Sequence, residues 1–274
     1  MTFDTSSLEA AAKPIASMAR GAEKHLRILG ALIMREMATR FGRQGLGFLW
    51  LVGEPLVFCF GVIILWTLTK PPFENGVNIG PFVMTGYMCL IVVRHMISQL
   101  TSAIQANKGL LYHRQIQPTH ILLSRIILEM GGNTMALAIV YVSLLLLGQV
   151  NLPDDYILVY SGWILFSLNG VGIALILTGL MMFFEIFERL NNLIGYLMIP
   201  LSGAFFMVGW LPESVRPIYL LVPLVHGVEM LRDGVFGDSV KTYYDWFYPA
   251  AFGAGMSIIG LLMISAAKDR VDAE

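Results

Sequence analysis

Six apolar runs decide most of what this chain can become. They fall at Phe48–Thr69, Pro81–Ser102, Ile121–Leu147, Ile157–Phe184, Leu193–Trp210 and Phe247–Ala267. A helix needs about 20 apolar residues to cross a hydrocarbon core roughly 30 Å thick. In lipid such runs stand as helices, which satisfy every backbone group within the segment. The composition agrees: 56% of residues are hydrophobic and 14% are charged, with a mean hydropathy of +0.69. Soluble domains carry about 25% charged residues. The expectation is an all-α integral membrane protein with six transmembrane helices. A net charge of −1 then says little about partners. Where the charges sit says more.

The first 47 residues carry Lys13, Arg20, Lys24, Arg27, Arg35, Arg40 and Arg43 and no long apolar core. That is not a signal peptide, so the first span is left to do the targeting. With Lys108, Arg114, Arg125, Arg189, Lys268 and Arg270, one face collects thirteen cations. Lys70, Arg216, Arg232 and Lys241 give the other face four, and Arg94 lies within a span. The positive-inside rule then places both termini in the cytoplasm. Cys59 and Cys89 sit in apolar runs and read as small buried hydrophobes, with no disulfide framework. There is no internal repeat and no low-complexity tract. The expected organisation is a flexible N-terminus over 1–21, an amphipathic interface helix over 22–44 and a membrane domain over 45–274.

Within the interface helix Leu26, Leu29, Ile33, Met37 and Phe41 recur every three or four positions, one face of a helix. Glu23–Arg27 and Glu36–Arg40 are i,i+4 pairs in the favourable order. Such a helix lies in the membrane interface near anionic lipid, or serves as a docking surface; periodicity does not separate the two. Gly42, Gly45 and Gly47 permit a sharp turn into the first span. There Trp50 suits the interface, and Glu54 stands about 9 Å past Phe48, near the inner surface. Pro55 invites a kink. The segment 211–246 is broken by Pro212, Pro217 and Pro223 and carries Glu213, Arg216, His226, Glu229, Arg232 and Asp233. Its apolar part is too short to span. It reads as re-entrant helices over about 211–235 on the extracytoplasmic side, or as an ordinary surface loop.

The string REMATRFGRQGLGFLWLVGEP carries a resemblance. Arg35-Glu36, Arg40-Phe41-Gly42, Leu46-Gly47-Phe48-Leu49-Trp50 and Glu54-Pro55 stand in the order seen in type-two ABC exporter permeases. Within that class the chain is similar to the KpsM-like capsular polysaccharide export permeases of Gram-negative bacteria. AIQANKGLLYHRQIQP (103–118) resembles that family's loop between spans 2 and 3, and LPESVRPIYLLVPLVHGVEMLRDGV (211–235) its segment between spans 5 and 6. There Val222 replaces the family's usual asparagine. The resemblance implies a homodimer in the bacterial inner membrane, six spans per subunit, and two separate ATP-binding cassette subunits that supply ATP and Mg. The cargo would be a lipid-linked polysaccharide, with a periplasmic and outer-membrane assembly as possible further partners and no nucleic acid. An O-antigen or teichoic-acid-type polymer is the alternative cargo. The chain has no G-x-x-x-x-G-K-[ST] loop, so it is not expected to bind ATP phosphates or catalyse their hydrolysis. A self-contained secondary transporter would predict inverted repeats, which are not seen.

Candidate roles follow. Asn107, Lys108, Leu110, Tyr112 and Arg114, with Arg35, Glu36 and Arg40, are candidates for coupling to the ATPase; a basic loop obeying the positive-inside rule is the plainer reading. Glu54, Tyr87, Arg94, His95, Trp210 and Tyr219 are candidates for the substrate pathway, because rings stack on sugar C–H faces and intramembrane charges face protein or water. An interfacial aromatic belt would also explain the rings. Arg94-His95 alternatively pairs with Glu54 or Glu129. Pro212, Arg216, Pro223, His226, Glu229 and Arg232 form the re-entrant motif. Ser202-Gly203 with a distant His226 lacks the glycine of intramembrane serine proteases, Glu185–Arg189 is a solvated i,i+4 pair, and no cluster has metal-ligand spacing.

Overall fold

A computed structural model describes residues 5–41, 47–70, 73–74, 76–111 and 115–271. Eleven α-helices are described, in the order α1 (Thr5–Phe41), α2 (Gly47–Thr69), α3 (Ile79–Thr101), α4 (Ala103–Ala106), α5 (Lys108–Leu111), α6 (Pro118–Leu146), α7 (Tyr156–Phe183), α8 (Ile186–Leu201), α9 (Arg216–Tyr219), α10 (Pro223–Phe236) and α11 (Phe247–Val271). Between α2 and α3 a two-stranded antiparallel ribbon pairs Phe73 with Asn78 and Glu74 with Val77. Gly76 at its turn has φ of 85°, which favours glycine.

The helix expected from residue 22 begins at Thr5. Residues 8–19 hold Ala10, Ala11, Ala12, Ala16 and Ala19, and alanine is the strongest helix former, so the segment expected to be flexible is helical. Gly42 and Gly45, in the expected turn, lie outside the described residues; Gly47 opens α2.

Five helices, α2, α3, α6, α7 and α11, are long and apolar enough to cross a membrane. The expected fifth span, Leu193–Trp210, is not a continuous helix. The chain leaves α7 through Phe184, which is extended, and α8 starts at Ile186, ahead of the expected boundary. Pro200 lies in the last turn of α8, and Gly203 follows with φ of 75°, which ends the helix. Its 16 residues extend about 24 Å, short of a hydrocarbon core. An irregular stretch leads to a single 3-10 turn over Val208–Trp210.

α3 is the central span: 83% of its most apolar window is buried, against 28% for α2 and 22% for α11. α7 packs against α3, α10 and α11. Small residues set the closeness of these crossings, because packing inside lipid depends on backbone approach. A Cβ at Gly162 of α7 would lie 2.5 Å from Leu231 N of α10, and one at Gly227 of α10 would lie 2.7 Å from Phe166 Cβ of α7.

Candidate functional site

At the end of the bundle where α3 passes into α4 and α5, two adjacent α1 residues reach different elements. Glu36, 6% exposed, meets Arg125 Nε of α6 at 2.8 Å. Arg125 Nη1 also donates to Gln99 O and, at 3.0 Å, to the Ser102 hydroxyl, both at the last turn of α3. Arg35 donates at 2.7 Å to Oδ1 of Asn107, the residue between α4 and α5. Asn107 is itself buried and donates to Ala103 O at 2.9 Å. Farther along α1, His25 Nδ1 lies 2.7 Å from His120 Nε2. Gln117 N donates to His120 Nδ1, so a neutral His120 carries its proton on Nε2 and donates to His25. One helix therefore holds both ends of the connection between α3 and α6.

Lys108 is exposed and helps line a cleft of about 380 Å³ with Thr101, Gln105, Thr178, Phe184 and Glu188, where Gln105 donates to Glu188 across the gap. Leu110 lines a second groove with Ile28, Leu32 and Arg35. Tyr112 and Arg114 lie outside the described residues, as does the side chain of Arg40. Glu36 faces inward, paired with Arg125, and presents no charge at the surface.

In the last third of α3 Arg94 and His95 part company. Arg94 is exposed and its guanidinium lies 5.8 Å from the Tyr196 ring of α8. His95 turns to carboxylates on two other spans: Nε2 is 3.9 Å from Glu54 of α2, and Nδ1 is 3.4 Å from Glu129 of α6. Asn133, fully buried, also approaches Nδ1 at 3.4 Å. Tyr87 is half-buried on α3, two turns before Arg94. Arg125, Glu129 and Asn133 stand at i, i+4 and i+8 on α6. That spacing is the sequence signal for a polar stripe, and the residue-by-residue reading missed Arg125 and Asn133.

The opposite end is organised by Arg232 of α10, which is fully buried. Its guanidinium donates to Gly203 O, Ala204 O and Phe206 O at 3.0, 2.8 and 2.8 Å, lies 3.8 Å from Glu229 and stacks 4.5 Å from the Phe82 ring. The break after α8 leaves those carbonyls without helical donors, and a guanidinium with five N–H groups supplies them. Glu229 in turn accepts from Val208 N and Tyr243 N, each at 3.2 Å. His226 Nδ1 accepts from Asp245 N, so Nε2 is the donor to Leu220 O. Arg216 donates to Leu211 O and Gly209 O. Pro212 O caps the turn before α9, and Pro223 opens α10. Tyr244 donates to Asp233 at 2.8 Å; burial first, and the Asp233 carboxylate second, push its phenol up to about 12.

Rings join these elements. Trp210 stacks 4.9 Å from Phe82, Trp66 of α2 contacts Phe82 and Phe205, and Lys70 lies 3.8 Å over Trp66. Tyr219 lies 4.8 Å from Phe206 and donates to Pro200 O. Trp210 and Tyr219 thus pack within the network around Arg232, whereas Arg94 stays on an open face. Among the described residues no group of three or more His, Cys, Asp or Glu could hold a metal ion.

The fold is a helical bundle with five helices able to cross a membrane, an amphipathic helix gripping one interhelical connection and a charged hub anchoring a broken helix at the far end. The chain belongs to the ABC-2 type transporter family, whose model matches residues 27–236. It is 36% identical over 239 residues to the capsule polysaccharide export inner-membrane protein CtrC of Neisseria meningitidis serogroup B, covering 87% of this chain and 90% of that one. It is 33% identical over 238 residues to the capsule polysaccharide export inner-membrane protein BexB of Haemophilus influenzae, with the same coverage. To the polysialic acid transport protein KpsM of Escherichia coli it is 28% identical over 246 residues, 85% of this chain and 90% of that one.

Proposed function

We propose that the chain is the permease subunit of an ATP-driven exporter that moves a lipid-linked capsular polysaccharide outward across the bacterial inner membrane. What supports this most is the likeness to CtrC along 87% of the chain. The subunit works as a homodimer with two ATP-binding cassette subunits, which hold ATP and Mg. Both termini are cytoplasmic. α8 and the irregular stretch after it make a sixth crossing, and α9 and α10 dip into the outer side of the membrane. α1 with α4 and α5 forms the coupling surface, where Arg35, Asn107 and Lys108 transmit ATPase movement.

The polymer passes along the face of α3 left open between α2 and α8. Tyr87 and Arg94 look onto it, with Glu54 at its edge. The exposed apolar residues of α2 (Val57, Phe58, Leu65) and α8 (Leu193, Leu197) are left uncovered by the rest of the subunit and would face the second copy. The test is to express the tagged chain with the ATPase gene beside it in a strain lacking both, then measure surface carbohydrate and copurification. The expected result is a complex with both subunits and ATP-dependent surface polymer. A purified chain without ATPase, or surface polymer that persists with an ATPase unable to hydrolyse ATP, refutes the proposal.

A further inference from the structure

Glu54, His95, Glu129 and Asn133 come from three spans and meet near the coupling end of the bundle. His95 is six residues, about 9 Å, from the end of α3. Exposure falls steadily along the row: the side chain of Glu54 is 42% exposed, that of His95 23% and that of Glu129 3%. Asn133 closes the row; its Nδ2 is pinned by donation to Glu129 O at 2.8 Å. Asn133 Nδ2 reaches His95 Nδ1 at 3.4 Å, and as the donor there it leaves the ring proton on Nε2, the nitrogen that faces Glu54; Glu129 Oε2 lies at the same distance from Nδ1. The two ring nitrogens lie on opposite sides of the imidazole, so fixing Nδ1 from the buried side aims Nε2 at Glu54. Arg94, the neighbouring residue, takes no part, since it lies over Tyr196.

A half-exposed carboxylate within a span faces protein or water rather than lipid. Glu54 therefore marks a wet edge of the open α3 face. A carboxylate is an acceptor with two oxygens and room for several donors. Saccharide hydroxyls are donors of that kind, and water can take their place between polymers. Such a group serves a sliding polymer only if it is held off its own backbone, and His95 Nε2, 3.9 Å away, is the group placed to hold it.

We propose that Glu54 accepts hydrogen bonds from the hydroxyls of the passing saccharide, and that His95, fixed by Glu129 and Asn133, is its positioning residue and touches no polymer itself. The inference rests on the reading that this chain conducts a polysaccharide.

The test is a double-mutant cycle in the complete complex, with surface carbohydrate measured per assembled permease–ATPase complex. Glu54→Ala and His95→Leu each lower export about tenfold, and the double variant exports no less than the weaker single one, because contacting residues that act as a unit are not additive. His95→Gln, which still offers a donor to Glu54, keeps at least half of wild-type export. Losses that multiply to about a hundredfold in the double variant overturn the proposal, since a separate structural role for His95 adds to that of Glu54. Should His95→Leu fail to accumulate, Asn133→Ser takes its place in the same cycle; its effect must vanish in the Glu54→Ala background, and a persisting effect overturns the proposal. Absence of ATP-dependent export in the wild-type complex would sink the reading of the function; normal export with multiplying losses would sink only the assignment of His95.

Discussion

The ion pair between Glu36 and Arg125 sets a prediction with a calculable size. Its side chains are 7% and 6% exposed, so solvent screens it little. Removing one partner of a buried pair costs about 3–5 kcal/mol, because the other charge stays buried. Glu36→Gln keeps the shape and one acceptor, which puts it near the lower end, about 3 kcal/mol. For chains of roughly this size each kcal/mol moves the unfolding midpoint by about 2–4 °C, so the drop is about 6–12 °C. Arg125→Met falls at least as far, since it also strips donors from Gln99 O and Ser102.

The sharper outcome concerns the double variant. Replacing both members of a buried pair with apolar residues is often close to neutral. Glu36→Leu with Arg125→Met therefore loses only the two hydrogen bonds to α3, about 1 kcal/mol each, or roughly 4–8 °C. It is more stable than Arg125→Met alone. The assay is heating of the purified full chain in nanodiscs, followed by the fraction that stays monodisperse. In the assembled complex the double variant still hydrolyses ATP but exports poorly, because Arg125 no longer links α1 to the end of α3. A Glu36→Gln midpoint within 2 °C of wild type, or a double variant as unstable as the two single losses added together, would refute the reasoning.

Three further outcomes can be checked with the same purified chain. Arg232→Met leaves three carbonyls without their donor and the buried Glu229 carboxylate without its cation; at about 1–3 kcal/mol for each unsatisfied buried group, little folded protein should accumulate in the membrane. Gly227→Val drives a Cβ to 2.7 Å from that of Phe166 and should cost at least the 1–3 kcal/mol of an overpacked core, seen as a lower midpoint with no change in expression of the unfolded chain. Tyr244→Phe should change the alkaline limb of stability: the folded phenol titrates near 12, above its ordinary value near 10, so its contribution is present below about pH 10 and is lost as pH rises toward 12. The difference between wild type and Tyr244→Phe should therefore shrink over that window, and a constant difference would contradict it.

What was legible in the sequence follows from what lipid demands. Spans such as α6 and α7 begin and end within a few residues of their apolar runs, because length and hydropathy alone specify them. α8 was misplaced because hydropathy continues through Ala204–Trp210 after the helix has ended. The stop is written in Pro200 and Gly203, and the compensation in Arg232, twenty-nine residues beyond Gly203. That pairing is a tertiary fact, which no local period encodes. The same holds for the charges. Arg232 and Arg216, counted among the few cations of the proposed outer face, spend their donors on backbone carbonyls. They act as anchors for a broken helix rather than as free surface charge. Arg125 is the counterpart at the other end of α3, where a residue counted among the cations of one face turns inward to join α1, α3 and α6. Buried guanidinium groups thus fix both ends of α3, and the exposed charges left are those on its open face, such as Arg94, and on the short helices after it, such as Lys108.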